Sequence, residues 1–427
     1  MYKPVDVIEV RVWGHRVGAI ALDPRLGYYA FEYAPAFVRS GIELAPLTMP
    51  LAAAREPFIF TTLPEITYQR LPAMVADALP DDFGNGLVDA WMAAQGVERS
   101  AITPLDRLAY MGKRSMGALE FKPVRGPSAP STAVELAQLV EGARRAVHGE
   151  IGTDAQAHAA LMQIIQVGTS AGGARAKAAI AWNPATQEIR TGQFDVSDGF
   201  EHWLLKFDGI GPDRELGVAE GYGRVEYAYY LMARAAGLDM APSRLLEEHG
   251  RAHFMTQRFD RDGNTKHHLQ TLCAMTEMDY KQKATHDLSQ VFLAMWRLKL
   301  DYGATEQVLR RAAFNVMAAN CDNHTKNLSF LLRQGGAWEL APAYDITHAY
   351  NPQGEWTHQL LMSVNGKFAG VERDDLLKVG EQFGIGTAPD VLAEVSAAVS
   401  TWPDFAAQAQ VSPYETARIR GHHRLLK

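Results

Sequence analysis

Phe314-Asn315-Val316-Met317-Ala318-Ala319-Asn320-Cys321-Asp322-Asn323-His324-Thr325-Lys326-Asn327 is the stretch on which the fold turns. Its first half continues an apolar periodicity that predicts a helix over 305–319. Its second half is polar and presents a carboxylate, Asp322, with an amide, Asn327, five positions later. Downstream the sequence predicts a hairpin: a strand over 328–332, a turn at Gly335-Gly336, and a return through Trp338-Glu339-Leu340. The return leads into Leu340-Ala341-Pro342-Ala343-Tyr344-Asp345, so a second carboxylate, Asp345, is expected close to Asn327. An ionised carboxylate can take a hydroxyl proton, and Asn and Asp oxygens are hard donors suited to Mg²⁺. The plainer reading makes Asp322 and Asn327 helix-end and turn residues and Asp345 a cap.

Upstream, Trp203-Leu204-Leu205-Lys206-Phe207 sets a lysine inside an apolar strand. Such a charge is costly unless an anion meets it; the alternative is a solvated face of an edge strand. Val167-Gly168-Thr169-Ser170-Ala171-Gly172-Gly173-Ala174 is glycine-rich, and glycines let backbone N–H groups approach phosphate oxygens. It is neither a Walker A sequence nor the Gly-x-Gly-x-x-Gly of most kinases. Gln257-Arg258-Phe259-Asp260-Arg261 falls where a strand is expected to give way to helix, the place where a hinge between lobes would pass an adenine ring. An Asp followed by an Asn at this interval, a strand lysine and a glycine-rich loop are parts used in phosphoryl transfer from ATP. His267, His268 and His324 match no common zinc spacing, which leaves them supporting or surface roles.

The rest of the chain supplies the frame. Period-two alternation predicts strands over 7–13, 17–22 and 28–33, with Gly14-His15-Arg16 as the turn between the first two. A helix is expected over 86–94 after Leu79-Pro80-Asp81-Asp82-Phe83-Gly84, a linker over 122–131, and a helix over 133–147. Strands over 178–182 and 202–207 follow, then a helix from 225 capped by Gly237, and another over 288–298. The order is β-rich first and α-rich last, an α+β bilobal fold with a cleft. The expected divisions are 1–125, a β-rich N-terminal region; 126–257, a nucleotide-binding lobe; and 258–427, a mostly helical lobe. Of 427 residues, 47% are hydrophobic and 21% charged, as in a globular protein, and the net charge of −7 argues against a surface that grips nucleic acid throughout. The basic end, Arg418 to Lys427, reads as a solvated helix end. Cys273 and Cys321 offer neither a disulfide framework nor a paired-cysteine zinc site, which fits a reducing cytoplasm. The N-terminus lacks a signal-peptide core, and no stretch reaches the roughly 20 apolar residues of a membrane span.

Taken in order, LPDDFG from Leu79, MGKRSMGALEF from Met111, TSAGGARAK, WLLKF, RFDR from Arg258, NCDNHTKN and LAPAYDI resemble the HipA family of bacterial serine/threonine kinases. The resemblance implies a protein-kinase-like fold that uses ATP and Mg²⁺. It implies Asp322 as catalytic aspartate, Asn327 and Asp345 as metal ligands, and Lys206 on the nucleotide phosphates. Gly172 and Gly173 would cover the phosphates, and the backbone near Gln257 and Phe259 would hold the adenine. Ser170 matches the family's autophosphorylated serine, whose modification ejects the loop from the ATP site and switches the enzyme off. Ala176 stands where many relatives have proline. The implied partners are a small DNA-binding HipB-like antitoxin, through which DNA is reached indirectly, and a translation component such as an aminoacyl-tRNA synthetase as protein substrate. Two other readings stay open: a kinase of small molecules or lipid head groups, and a non-catalytic module that tightens an antitoxin on its operator.

Overall fold

Strands Val7–Val12 (β1) and His15–Asp23 (β2) are joined at Trp13-Gly14, both at positive φ (47° and 79°), the geometry that matches the twist of a tight hairpin. His15 and Arg16, expected in the turn, already belong to β2. Tyr28–Tyr33 (β3) and Leu119–Lys122 (β4) complete an antiparallel sheet of order β3-β2-β1-β4. Alternate residues Ile8, Val10 and Val12 are buried on one face, as the period of two requires. Between β3 and β4 the chain passes through helices that include Asp82–Ala93 (α1) and Pro104–Met111 (α2). α1 begins earlier than the expected 86, because the Asp81 carboxylate caps it by accepting from the Gly84 N–H at 2.6 Å. The computed structural model describes residues 2–127, 133–148, 164–165, 175–210 and 221–426.

A second antiparallel sheet holds Lys177–Trp182 (β5), Ile189–Thr191 (β6), Glu201–Lys206 (β7), Ser243–Glu248 (β8) and Arg251–Gln257 (β9), in the order β6-β5-β7-β9-β8. β7 is central, so Lys206 is not on an edge strand. Helix Tyr222–Ala235 (α3) packs against this sheet and ends before Gly237, which takes φ 79°. After β9 the chain forms a two-residue hairpin, Arg261–Asp262 with Thr265–Lys266, and not the expected helix. Asp262-Gly263-Asn264 is turn chemistry, with Gly263 at φ 53°.

The second lobe carries a small sheet of His268–Thr271 (β10), Ser329–Leu332 (β11) and Trp338–Leu340 (β12), with β11 and β12 forming the expected hairpin. Its helices include Leu288–Leu298 (α4) and Tyr302–Met317 (α5), then Arg373–Gln382, Ala388–Ser400, Trp402–Gln408 and Pro413–Arg420. Asp301 caps α5 by accepting from the Ala304 N–H at 2.8 Å, so that helix starts before the expected 305. Two apolar cores result: one under the N-terminal sheet and β5–β7, one within the helical lobe. Val225, Tyr229 and Met232 of α3 belong to the second core, so α3 bridges the lobes. The architecture is the α+β bilobal one expected from the sequence. The basic C-terminal end is not simply solvated: His423 Nε2 lies 2.9 Å from the Tyr229 hydroxyl and His422 Nδ1 3.0 Å from His348 Nε2. Among the described residues no helix is long and apolar enough to cross a membrane.

Candidate active site

Lys206, at the end of central strand β7, reaches between two carboxylates. Its ammonium donates to Glu226 Oε1 at 2.5 Å and to Asp345 Oδ1. Glu226 is brought in by α3, whose inward face also buries Val225 and Tyr229. Asp345 follows β12 with φ 52°, a left-handed conformation that aspartate tolerates better than most residues and that concentrates at functional sites. Burial disfavours the charge of Lys206, but Asp345 and Glu226 outweigh it and raise the ammonium's pKa. Burial likewise pushes the Asp345 carboxyl up, and the cations Lys206 and Lys177 more than reverse it, holding it below the ordinary carboxylate range. One ammonium between two carboxylates leaves the cluster with excess negative charge.

The loop after α5 is pinned at several points. Ala319 turns the chain at φ 55°, the Cys321 N–H donates to Ala349 O at 2.9 Å, and the Thr325 hydroxyl donates to Met278 O at 2.7 Å. Thr325–Asn327 forms one tight helical turn. There the Asn327 Nδ2 donates to the backbone carbonyl of Asp322 at 2.6 Å, so the acceptor of that amide is its Oδ1. Asp322 is beyond the end of α5, with its side chain about half exposed (45%) and His324 Nε2 3.7 Å from its Oδ1. Asp322, Asn327 and Asp345 line one pocket. The Tyr344 hydroxyl donates to Lys326 O at 2.6 Å and meets the Ser329 hydroxyl at 2.5 Å, which ties the Asp345 segment to the Asp322 loop. Phe259 lies against the Tyr344 ring at 5.7 Å between centroids. The Gln257 and Arg258 N–H groups are already committed, to Pro242 O at 2.8 Å and His202 O at 2.9 Å. Ser170, Gly172 and Gly173 lie outside the described residues.

Sequence reasoning missed Glu226, although a lone acid on the apolar face of a helix was a usable signal. It also missed Lys177, which sits directly opposite Lys206 in the β5–β7 register. Asp81, from the LPDDFG stretch, lies 3.4 Å from the Lys177 ammonium with both side chains nearly inaccessible. Burial pushes the Asp81 carboxyl up to about 6, against the pull of Lys177. At the expected hinge, Asp260 is held between Arg258 and Arg261 at 2.7 and 3.0 Å and accepts from the Gly117 N–H at 2.7 Å. The MGKRSMG and RFDR stretches are thus one buried joint. His267 and His268 are buried, His268 Nε2 lying 3.1 Å from Leu44 O and His267 Nε2 3.0 Å from Arg333 Nη1, so both rings are held within the fold. Among the described residues no group of three or more His, Cys, Asp or Glu is placed to hold a metal ion. The pocket is lined by two carboxylates, Asp322 and Asp345, and by the amides of Asn315, Asn320, Asn323 and Asn327.

The family profile described as the HipA-like C-terminal domain matches residues 169–402, and that described as the HipA N-terminal domain matches residues 8–122. Among solved structures, HipA of the Shewanella oneidensis MR-1 toxin–antitoxin system, in complex with HipB and its operator DNA, aligns with a TM-score of 0.67. The alignment covers 97% of this chain and 94% of that chain at 16% identity, which shows a shared fold. The Helicobacter pylori proinflammatory kinase CtkA aligns with a TM-score of 0.34 at 13% identity, over 59% of this chain and 91% of that chain. No curated protein sequence matches the chain.

Proposed function

Because the chain belongs to the HipA family, we propose that it is an ATP- and Mg²⁺-dependent serine/threonine protein kinase of the HipA toxin type. The observation that carries this reading is the ion cluster of Lys206, Glu226 and Asp345 next to the pocket that Asp345 lines together with Asn327 and Asp322. A strand lysine paired with a helix glutamate is the arrangement that positions nucleotide phosphates in protein kinases. Asp322 takes the proton of the attacking hydroxyl and is open enough to meet a substrate. Lys206 holds the nucleotide phosphates, with Gly172 and Gly173 covering them, and Phe259 and the carbonyls near Gln257 flank the adenine. The residues fit Mg²⁺ because Asn327 Oδ1 and the Asp345 carboxylate are hard oxygen donors lining one pocket, and these two would hold the ion. A Mg²⁺ ion held by these residues would supply neutralisation of the charge on the transferring phosphoryl group. Lys206 keeps Asp345 ionised for that task. Within this reading the lobes divide at 126 and 258, and α3 links them.

Ser170 is proposed as an autophosphorylation site, where a phosphate would be repelled by the carboxylates of the pocket. The relative from Shewanella is bound to HipB and operator DNA; by likeness, a HipB-like antitoxin is the proposed partner here and DNA is reached through it. The proposed acceptor is a protein of the translation apparatus, with an aminoacyl-tRNA synthetase first, in the cytoplasm. Incubation with labelled ATP and cell lysate tests the acceptor class. Label in protein bands supports the reading, and label confined to small molecules overturns it.

A further inference from the structure

A second cavity, apart from the one that Asp322 and Asp345 line, is bounded by α5, the loop that follows it and the C-terminal tail. Its walls are Val316 of α5, Ala319 and Cys321 of the loop, parts of the segment 350–371, and the tail at 421–424. Backbone hydrogen bonds hold these walls together. The Arg424 N–H donates to Met317 O, the Cys321 N–H to Ala349 O and the Leu360 N–H to Phe368 O, each at 2.9 Å. The tail is held a second time where His423 Nε2 meets the Tyr229 hydroxyl at 2.9 Å. The space is therefore built into the fold, and its volume is about 240 Å³. An engineered apolar cavity of about 150 Å³ takes benzene. This one has room for a substituted ring or a fused pair.

The lining is divided in character. Leu360 and Val371 are buried, and the half-buried rings of Tyr350 and Phe368 supply aromatic surface. Tyr350 already meets the His422 ring edge-on, at 5.0 Å between centroids. The polar part is electropositive. Arg424 is exposed at the rim, and its guanidinium forms no ion pair among the described residues. His422 Nδ1 is spent on His348 Nε2 at 3.0 Å, which leaves Nε2 as its remaining polar atom. Burial and Arg418 lower the pKa of His422, so that ring is neutral at pH 7. No Asp or Glu is among the described residues that line the cavity. A guanidinium forks onto a planar carboxylate through two parallel hydrogen bonds. A single fixed cation suits one negative charge, whereas a phosphate dianion would lack a second partner.

We infer that this cavity binds a small aromatic carboxylate, its rings against Tyr350 and Phe368 and its carboxylate on Arg424. Ala319 and Cys321 lead into Asp322, so an occupant fastens the C-terminal tail to the loop that carries it. Control of phosphoryl transfer through that loop rests on the kinase reading; the binding itself does not.

The test titrates 2-naphthoate calorimetrically into the full chain, without nucleotide. Saturable binding at one site is expected, weakened about tenfold or more in Arg424→Gln, where the charge-assisted hydrogen bonds are lost. 2-Naphthamide keeps the rings without the charge and should be weakened alike; acetate, the head without the rings, should give no measurable heat. Wild-type crystals soaked in 2-naphthoate should show it in this cavity with its carboxylate at Arg424. No saturable binding, equal affinity in Arg424→Gln, density only at another site, or binding at crystal concentration only would overturn the inference. The soak rests on the wild type, so the fold of the variant does not decide it. Because no phosphoryl transfer is measured, failure of the kinase reading leaves the outcome legible.

Discussion

The buried ion clusters at Lys206 and at Asp260 are opposites. At Lys206 one cation is shared by two carboxylates, and one of these, Asp345, lies in a left-handed conformation and lines a pocket. At Asp260 one carboxylate is shared by two guanidiniums, its remaining oxygen capacity is met by the Gly117 N–H, and the side chains are almost wholly inaccessible. The closed cluster is complete without a ligand and joins the N-terminal region to the rest. The open cluster sets two carboxylates against one ammonium, and its Asp345 lines a cavity; the proposed Mg²⁺ and nucleotide site rests on that imbalance. Buried charge alone therefore does not mark a site; an unbalanced cluster that opens onto space does.

The sharpest way to separate the two is Asp345→Asn. Phosphoryl transfer should fall by about 10³-fold, some 4 kcal/mol of transition-state stabilisation, with little change in Tm. A variant that melts early but transfers phosphate normally per folded molecule would erase the distinction. Asp260→Asn should do the reverse. Leaving Arg258 and Arg261 buried and unpaired is expected to destabilise the fold by about 3–5 kcal/mol in denaturant unfolding. Its pH dependence has a definite sign. The two arginines overcome the burial penalty and hold Asp260 far below the ordinary carboxylate range. Its contribution is therefore full above about pH 4, the unfolded value, and is lost progressively as pH falls below it. The stability gap between wild type and Asp260→Asn should narrow in acid. A smaller effect is expected at Lys206→Met, about 10²-fold in kcat/KM, with weakened ATP binding and unchanged binding of adenosine. Equal loss for both ligands would move Lys206 into the structural class.

Much of this was legible in the sequence, and the limits are instructive. The β11–β12 hairpin and the Asp322-to-Asn327 interval could be read because turn glycines and local spacing determine them. That Lys206 was central and not at an edge could not be read, since strand order is set by long-range pairing between segments such as β7 and β9. Glu226 escaped because its partner lies 20 positions upstream and only tertiary packing turns α3 inward. The strand-to-helix expectation after Gln257 failed for a local reason: Asp262-Gly263-Asn264 outweighed the apparent helical start. The C-terminal histidines looked solvated because nothing nearby in sequence reports their contacts with Tyr229 and His348.

The most direct measurement of the central claim is phosphate incorporation by the purified chain. Unphosphorylated starting protein, verified by intact mass, is incubated with Mg-ATP and mapped by peptide mass alongside Asp322→Asn. The wild type is expected to gain one phosphate at Ser170 and the variant none. A wild-type chain that neither binds ATP nor gains mass, or a variant that gains as much as the wild type, would contradict the assignment of Asp322 and its pocket as a kinase site.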